Sequence, residues 1–202
     1  MMSEVRVLSV GELADAVDVL APVLREAPLN EWLLGECADD VEVQRWLIEL
    51  QLIESLRAGY VLGGFDRGEL VGVLAWSPPD PYAPRSEPEF QRRSIELLEH
   101  RPGLRQRLAE FHRAAMDNPP PQRSATMLLA GLAPRARATD VMAKLMAPVL
   151  DAATGAGACV WFATAALEIG ASSIARFGFE AVGEYTVGPV TMHAYLKPYE
   201  AA

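Results

Sequence analysis

Apolar positions along this chain change their period repeatedly, and each change marks an element. VRVLSV (5–10) alternates and predicts a short strand, while GELADAVDVLAPVLREA carries Leu13, Val17, Leu20 and Leu24 at helical spacing. APLNEW reads as a turn. A second helix is predicted from about Val41 to Leu56, with Trp46, Ile48, Leu52 and Leu56 apolar and Gly59 ending it. YVLGGFDRGELVGVLAW holds two β-rich runs joined at Asp66-Arg67-Gly68-Glu69, a hairpin signal.

The proline-rich SPPDPYAPRSEP (77–88) predicts a loop, followed by helix over roughly Glu89 to Met116, either continuous or broken near Arg101-Pro102-Gly103. DNPPPQRS ends it. Then come a strand at SATMLLAGL (124–132), a turn at Pro134, a helix from about Asp140 to Thr154, a strand at ACVWFAT (158–164), a short helix near Ser172 to Phe177, and the closing pair FEAVGEY and VTMHAYLK. The order β, α, α, β, β, α, β, α, β, α, β, β describes an α/β fold, a mixed sheet flanked by helices, in a single domain over 1–202.

Composition narrows the function classes. A chain of 202 residues, 50% hydrophobic and 22% charged, can bury one substantial core. No apolar run approaches the ~18 residues of a membrane span, and the N-terminus is a charged strand pattern and no signal peptide, so the expectation is a cytoplasmic protein without a membrane partner. The net charge of −9 argues against nucleic acid, because counterion release needs a basic surface. Arginines 92, 93, 101, 105, 107 and 113, interleaved with glutamates, read as a solvated helical face. Cys37 and Cys159 have neither metal-type nor redox spacing and read as buried thiols; His100, His112 and His193 are scattered, so no metal site is expected. No GxSxG, Walker loop or CxxC occurs.

ARFGFEAVGEY (175–185) resembles the YxxxGFxxxG signature of GCN5-related N-acetyltransferases (GNAT), and the order of elements is also that family's. EAPLNEWLLG (26–35) and GYVLGGFDRGELVGVLAWSPPD (59–80) resemble bacterial members in which a DDPxxxWL-like turn precedes a hairpin that ends in a tryptophan-proline loop. The resemblance spans nearly the whole chain. It implies a mostly antiparallel twisted sheet whose fourth and fifth strands splay apart, and a Q/RxxGxG/A loop before the following helix whose amides hold the pyrophosphate of acetyl-CoA. With Pro134 aligned to the proline that usually precedes that loop, the cofactor-binding positions become Arg137, Ala138, Thr139, Asp140, Val141 and Met142. Asp140 and Met142 then stand where the two glycines belong. Two further departures follow from the resemblance: Ile174 replaces the tyrosine often assigned as general acid, and Gly170 replaces an asparagine that often contacts the cofactor.

A helix N-terminus draws anions because its first amides are unpaired and the macrodipole is positive there. Asp140 is a good N-cap residue, so its carboxylate is expected to accept from the amides of Met142 or Ala143, contributing roughly 0.5 to 2 kcal/mol. A diphosphate about 4 Å away would meet repulsion on the order of 4 kcal/mol per charge pair. Met142 adds a long side chain at the same place. Arg135, Arg137 and Lys144 offset part of this.

The implied cavity between the splayed strands is apolar, with Met127, Leu129 and Gly131 on one strand and Trp161 and Ala163 on the other, while Trp32 and Trp76 come from two covering loops; Trp32, Trp76, Met127, Leu129 and Trp161 form the expected substrate pocket. Candidates for proton transfer are Tyr185, His193 and His112. Three functions stay open. The changed loop favours a protein that has given up ordinary acetyl-CoA use, either as a reassigned enzyme acting on a small-molecule ligand or as a non-catalytic interaction module, the latter as a homodimer. The alternative is a conventional N-acyltransferase of a small amine that uses acetyl-CoA or another acyl-CoA.

Overall fold

The ladder of hydrogen-bonded strands fixes where everything else sits. The structure, a computed structural model, describes residues 4–25, 27–80 and 88–199, so residues 81–87 of the expected proline-rich loop lie outside it. Its strands are β1 (Glu4–Val7), β2 (Val61–Asp66), β3 (Glu69–Ser77), β4 (Ser124–Leu132), β5 (Cys159–Thr164), β6 (Glu180–Val187) and β7 (Val190–Lys197), in the spatial order β1-β2-β3-β4-β5-β7-β6. Every neighbouring pair is antiparallel except β4–β5, which is parallel.

The helices are α1 (Leu13–Leu24), α2 (Pro28–Leu34), α3 (Val41–Ala58), α4 (Pro88–Glu99), α5 (Pro102–Asp117), α6 (Val141–Gly155) and α7 (Leu167–Phe177). On one face of the sheet α6 covers the centre, with Val141, Leu145, Met146 and Val149 buried against Leu62, Leu74, Trp76, Val160 and Phe162. On the other face α1 and α3 bury Val17, Leu20, Ile48 and Leu52 against Val61, Val73 and Ala75. A third apolar cluster joins α2 through α5 around Leu33, Trp46, Leu97 and Leu104. Burial of this kind contributes roughly 25 cal/mol per Å² of apolar surface.

Local chemistry explains several departures from the sequence pattern. Val10 belongs to a 3₁₀ turn (Val10–Glu12) and not to the first strand: Ser9 and Glu12 form a capping box there, and the Glu12 carboxyl is lowered to about 2 by its hydrogen bond with Arg6 and those from Ser9. APLNEW is a helix, not a turn, because Pro28 sits in the first turn of α2, where a missing N–H costs nothing. The stretch 89–116 is broken into α4 and α5 by Pro102, which takes the first-turn position of α5. The arginines there are not one solvated face. Arg92 pairs with Glu96 in the same helix, but Arg93 reaches Glu49 of α3, Arg101 reaches Asp40 (3.0 Å), and Arg107 reaches α2.

Asp40 caps α3 by accepting from the amides of Glu42 (3.1 Å) and Val43 (3.2 Å), and Arg101 beside it, more than those amides, holds its carboxyl below the usual range. A lowered folded value means that this stabilisation is complete above the ordinary carboxylate range and is lost as pH falls through the lowered value. Asp40→Ala is therefore expected to cost ~1 to 2 kcal/mol in urea unfolding at neutral pH. The difference from the parent protein should shrink on acidification; a constant difference would contradict the assignment.

Candidate functional site

Pairing between β4 and β5 is short. Ser124, Ala125 and Thr126 face Cys159, Val160 and Trp161, and the register ends there although β4 runs on to Leu132 and β5 to Thr164. The opposite edge of β4 shows why. Ala75 of β3 faces Leu129 and Trp76 faces Met127, so Leu128 is an extra residue that bulges out of the ladder. Beyond it the strands diverge into a V, open at their C-terminal ends. Leu128 is 45% exposed.

The bulge corrects the expectation that Met127, Leu129 and Gly131 share one face. Met127 packs with the α6 layer, whereas Leu129 packs with the α1–α3 layer and Gly131 faces Leu20. Leu128 was missed. Its signal in the sequence is the unbroken apolar run TMLLAGL, where a half-buried strand would alternate.

The other pocket candidates are distributed around this cleft. Trp161 is half-buried at the last β4–β5 pair. Trp76 is not in a covering loop: it lies within β3, buried, with its ring 5.1 Å from Tyr60 in an edge-on arrangement. Trp32 also comes from a helix and not a loop. It is half-buried on α2, against the β6–β7 turn, where a Cβ on Gly188 would come within 2.6 Å of its ring. Since β7 runs antiparallel to β5, that turn stands beyond the open end of the V.

The acid–base candidates do not converge. His193 faces Thr164 of β5 on one side and Glu184 of β6 on the other, and its Nδ1 is 2.8 Å from the Glu184 carboxylate. Tyr185 faces Met192, so adjacent positions on each strand send Tyr185 and His193 to opposite faces of the sheet. Burial raises the Tyr185 phenol. His112 is exposed on α5.

At the start of α6 the expected self-capping does not occur. Asp140 occupies the N-cap position, but its side chain makes no capping hydrogen bond; its carboxylate pairs with Lys144, 2.8 Å away and one turn on. An ammonium on the same helix competes successfully with the backbone amides. Thr139 contributes only a long 3.4 Å contact from the Val141 amide. Met142 does not block the loop either, because it packs against the apolar layer under α6. Arg137 and Ala138 are exposed, and Arg135 pairs with Glu69. Between the β2–β3 hairpin and the start of α6 lies a cavity of about 170 Å³ lined by Asp66, Val71, Arg135, Ala136, Thr139, Asp140 and Val141. The loop thus fits a diphosphate: neither Asp140 nor Met142 covers the helix start, and Arg137 stands exposed beside it. The carboxylates of Asp66, Glu69 and Asp140 reduce that fit.

Gly170 on α7 has a packing reason. A Cβ there would come within 2.0 Å of the Tyr195 hydroxyl oxygen and 2.1 Å of its Cζ, and the Tyr195 ring stacks on Phe162 at 5.1 Å. A phenol from β7 therefore fills the space that a side chain at position 170 would take, and Ile174 one turn later is 44% exposed. Gly170→Ala is expected to destabilise by ~1 to 3 kcal/mol through overpacking. Combining it with Tyr195→Leu should recover most of that loss in chemical denaturation, and additive effects would contradict the contact.

No protein-family profile matches the chain, and no curated protein sequence does. Solved structures do. Arylalkylamine N-acetyltransferase 2 from Aedes aegypti superposes with a TM-score of 0.66 at 13% identity, covering 99% of this chain and 100% of its own. A histone acetyltransferase HPA2 and related acetyltransferase from Corynebacterium glutamicum gives 0.63 at 18% identity, covering 100% and 99%. A Drosophila melanogaster polyamine N-acetyltransferase gives 0.59 at 13%, covering 98% and 100%. Among the described residues no cluster of His, Cys, Asp or Glu could hold a metal ion, and no helix is long and apolar enough to cross a membrane. With its parallel β4–β5 pair diverging inside an otherwise antiparallel sheet, the chain has the fold of the GCN5-related N-acetyltransferases.

Proposed function

We propose that this protein is an acyl-CoA-dependent N-acyltransferase of a small amine, the observation that carries the reading being the uncapped start of α6 at the open end of the β4–β5 cleft. This reverses the preference that the sequence alone suggested, since Asp140 does not cap the helix and Met142 packs inward, while Lys144 offsets the Asp140 carboxylate that stays beside the loop. The small-amine part of the reading rests on the superposed arylalkylamine and polyamine N-acetyltransferases.

A bound acyl-CoA would supply an activated thioester, whose acyl carbon would bond the amine nitrogen as the C–S bond breaks, with CoA leaving as a thiolate that takes up a proton. The chain's own contribution is positioning, which alone can account for several kcal/mol of barrier. Arg137 and the first amides of α6 would hold the diphosphate, with Lys144 neutralising Asp140. The bulge at Leu128 leaves the lip of β4 free of strand pairing on the cleft side. For the proton released by the amine, His193 is the assigned acceptor. Glu184 takes the hydrogen bond at Nδ1, which leaves Nε2 with its lone pair.

A second reading, an enzyme reassigned to a small molecule without free CoA, is favoured by one observation: Tyr195 fills the space beside Gly170. Calorimetry separates the two. Acetyl-CoA is expected to bind with a dissociation constant in the micromolar range, and Arg137→Ala to weaken it about tenfold, ~1.4 kcal/mol. Asp140→Asn, which removes a carboxylate from beside the diphosphate, should tighten it. His193→Gln should lower kcat by about a hundredfold with acetyl-CoA affinity unchanged. No heat at millimolar acetyl-CoA would overturn the proposal in favour of the second reading.

A further inference from the structure

Three contacts of a single arginine tie α5 to the helix at the mouth of the cleft. Arg107 of α5 donates from Nε to the Leu33 carbonyl (2.9 Å) and from Nη2 to the Leu34 carbonyl (3.0 Å), and Nη2 also bonds the Glu36 carboxylate (2.8 Å). Its side chain is only 18% exposed. The two carbonyls belong to the last turn of α2, whose acceptors have no partner within the helix, so a fixed guanidinium fork there sets the position of the helix end. The chain is shaped around that fork. Gly35 follows α2 with φ of 50°, and a Cβ on it would come within 2.7 Å of the Arg107 guanidinium carbon. Gly103 similarly leaves room for Glu36, whose carboxylate would lie 2.5 Å from an added Cβ.

Immediately before the clamped Leu33, α2 carries Trp32, and Trp32 lies against Gly188 in the β6–β7 turn beyond the open end of the V. The clamped carbonyls and the tryptophan are neighbours in the last turn of a seven-residue helix, so a shift of that turn moves the indole.

We infer that Arg107 is a positioning residue for the amine acceptor: by fixing the C-terminal end of α2 it holds Trp32 as a wall of the acceptor side of the cleft. This rests on the acyltransferase reading for its substrate class, and on geometry alone for the link from Arg107 to Trp32. Through Arg107, α5 thereby supports the acceptor site without touching it.

The test uses the full chain and acetyl-CoA, with a panel of aliphatic and aromatic primary amines. Arg107→Ala is expected to raise KM for the preferred amine roughly tenfold while kcat and the acetyl-CoA dissociation constant stay within about twofold. Trp32→Ala should raise KM similarly, and the double variant should be no worse than Trp32→Ala alone. A fall in kcat with unchanged KM, or additive effects, would overturn the inference. Because Arg107→Ala removes a clamp that also stabilises the fold, Glu36→Ala serves as the milder variant, with a smaller shift in the same direction.

A readout independent of turnover is the fluorine resonance of Trp32 in protein labelled with 5-fluorotryptophan, assigned by its loss in Trp32→Phe. Arg107→Ala should move it, and the amine should move it in the parent protein. If acetyl-CoA gives no heat, the acyltransferase reading fails separately, and the fluorine signal decides alone. A Trp32 resonance unmoved by Arg107→Ala, or unmoved by every amine in the panel, overturns the inference.

Discussion

Two neighbouring strands that run in the same direction normally share a ladder along their whole common length. Here β4 and β5 share three residue pairs and then part, because Leu128 is one residue too many for the register that β3 imposes on β4. A bulge bends its strand and increases the local twist. Everything attributed to a site depends on that. The divergence opens a cleft through the middle of the sheet, places the start of α6 and the β6–β7 turn at the same open end, and leaves Trp161 at the vertex. Apolar layers pack on either face of the sheet: Val141 and Leu145 of α6 meet Leu132 and Leu74 on one, and Leu20 of α1 and Leu52 of α3 meet Val73 and Ala75 on the other.

At the mouth of the cleft the decisive contest is between two donors for one carboxylate. Asp140 could bond the first amides of α6 or the ammonium of Lys144, and it bonds Lys144. Both bonds would be charge-assisted, since the carboxylate is ionised in each; what the ammonium adds is a full opposite charge at i,i+4 spacing with the acid nearer the N-terminus, the favourable orientation on a helix. The same acid at Asp40 has the reverse outcome. There the partner cation is Arg101 from a different element, and its guanidinium approaches the other carboxylate oxygen, so Oδ1 still accepts from Glu42 and Val43 while Oδ2 meets Arg101. Capping preference alone does not distinguish these two aspartates.

Much of the fold was legible because periodicity carries it. The helical spacing of Val17, Leu20 and Leu24, the closing pair FEAVGEY and VTMHAYLK, and the glycine turn at Arg67-Gly68 each found their element. The α2 helix was not legible, since seven residues show too little period and Pro28 reads equally as a turn residue. At the start of α6 the expected capping bond from Asp140 does not form, because the Lys144 pairing and the inward turn of Met142 are outcomes of competition and packing, not of residue type. Gly170 is similar. From the sequence it is a missing side chain, and in the structure it is the space that Tyr195 needs. Arg107 sat in a run of alternating charges that looks solvated, and only the approach of α2 reveals its three acceptors.

The central claim is that the open end of the β4–β5 cleft, with the uncapped start of α6, is where an acyl-CoA lies. Hydrogen–deuterium exchange with and without saturating acetyl-CoA reads it most directly. The account predicts slowed exchange confined mainly to residues 127–132 of β4 and 138–143 at the start of α6, with α3 and α4 unchanged. Unchanged exchange in both segments, or protection only elsewhere on the chain, would contradict it.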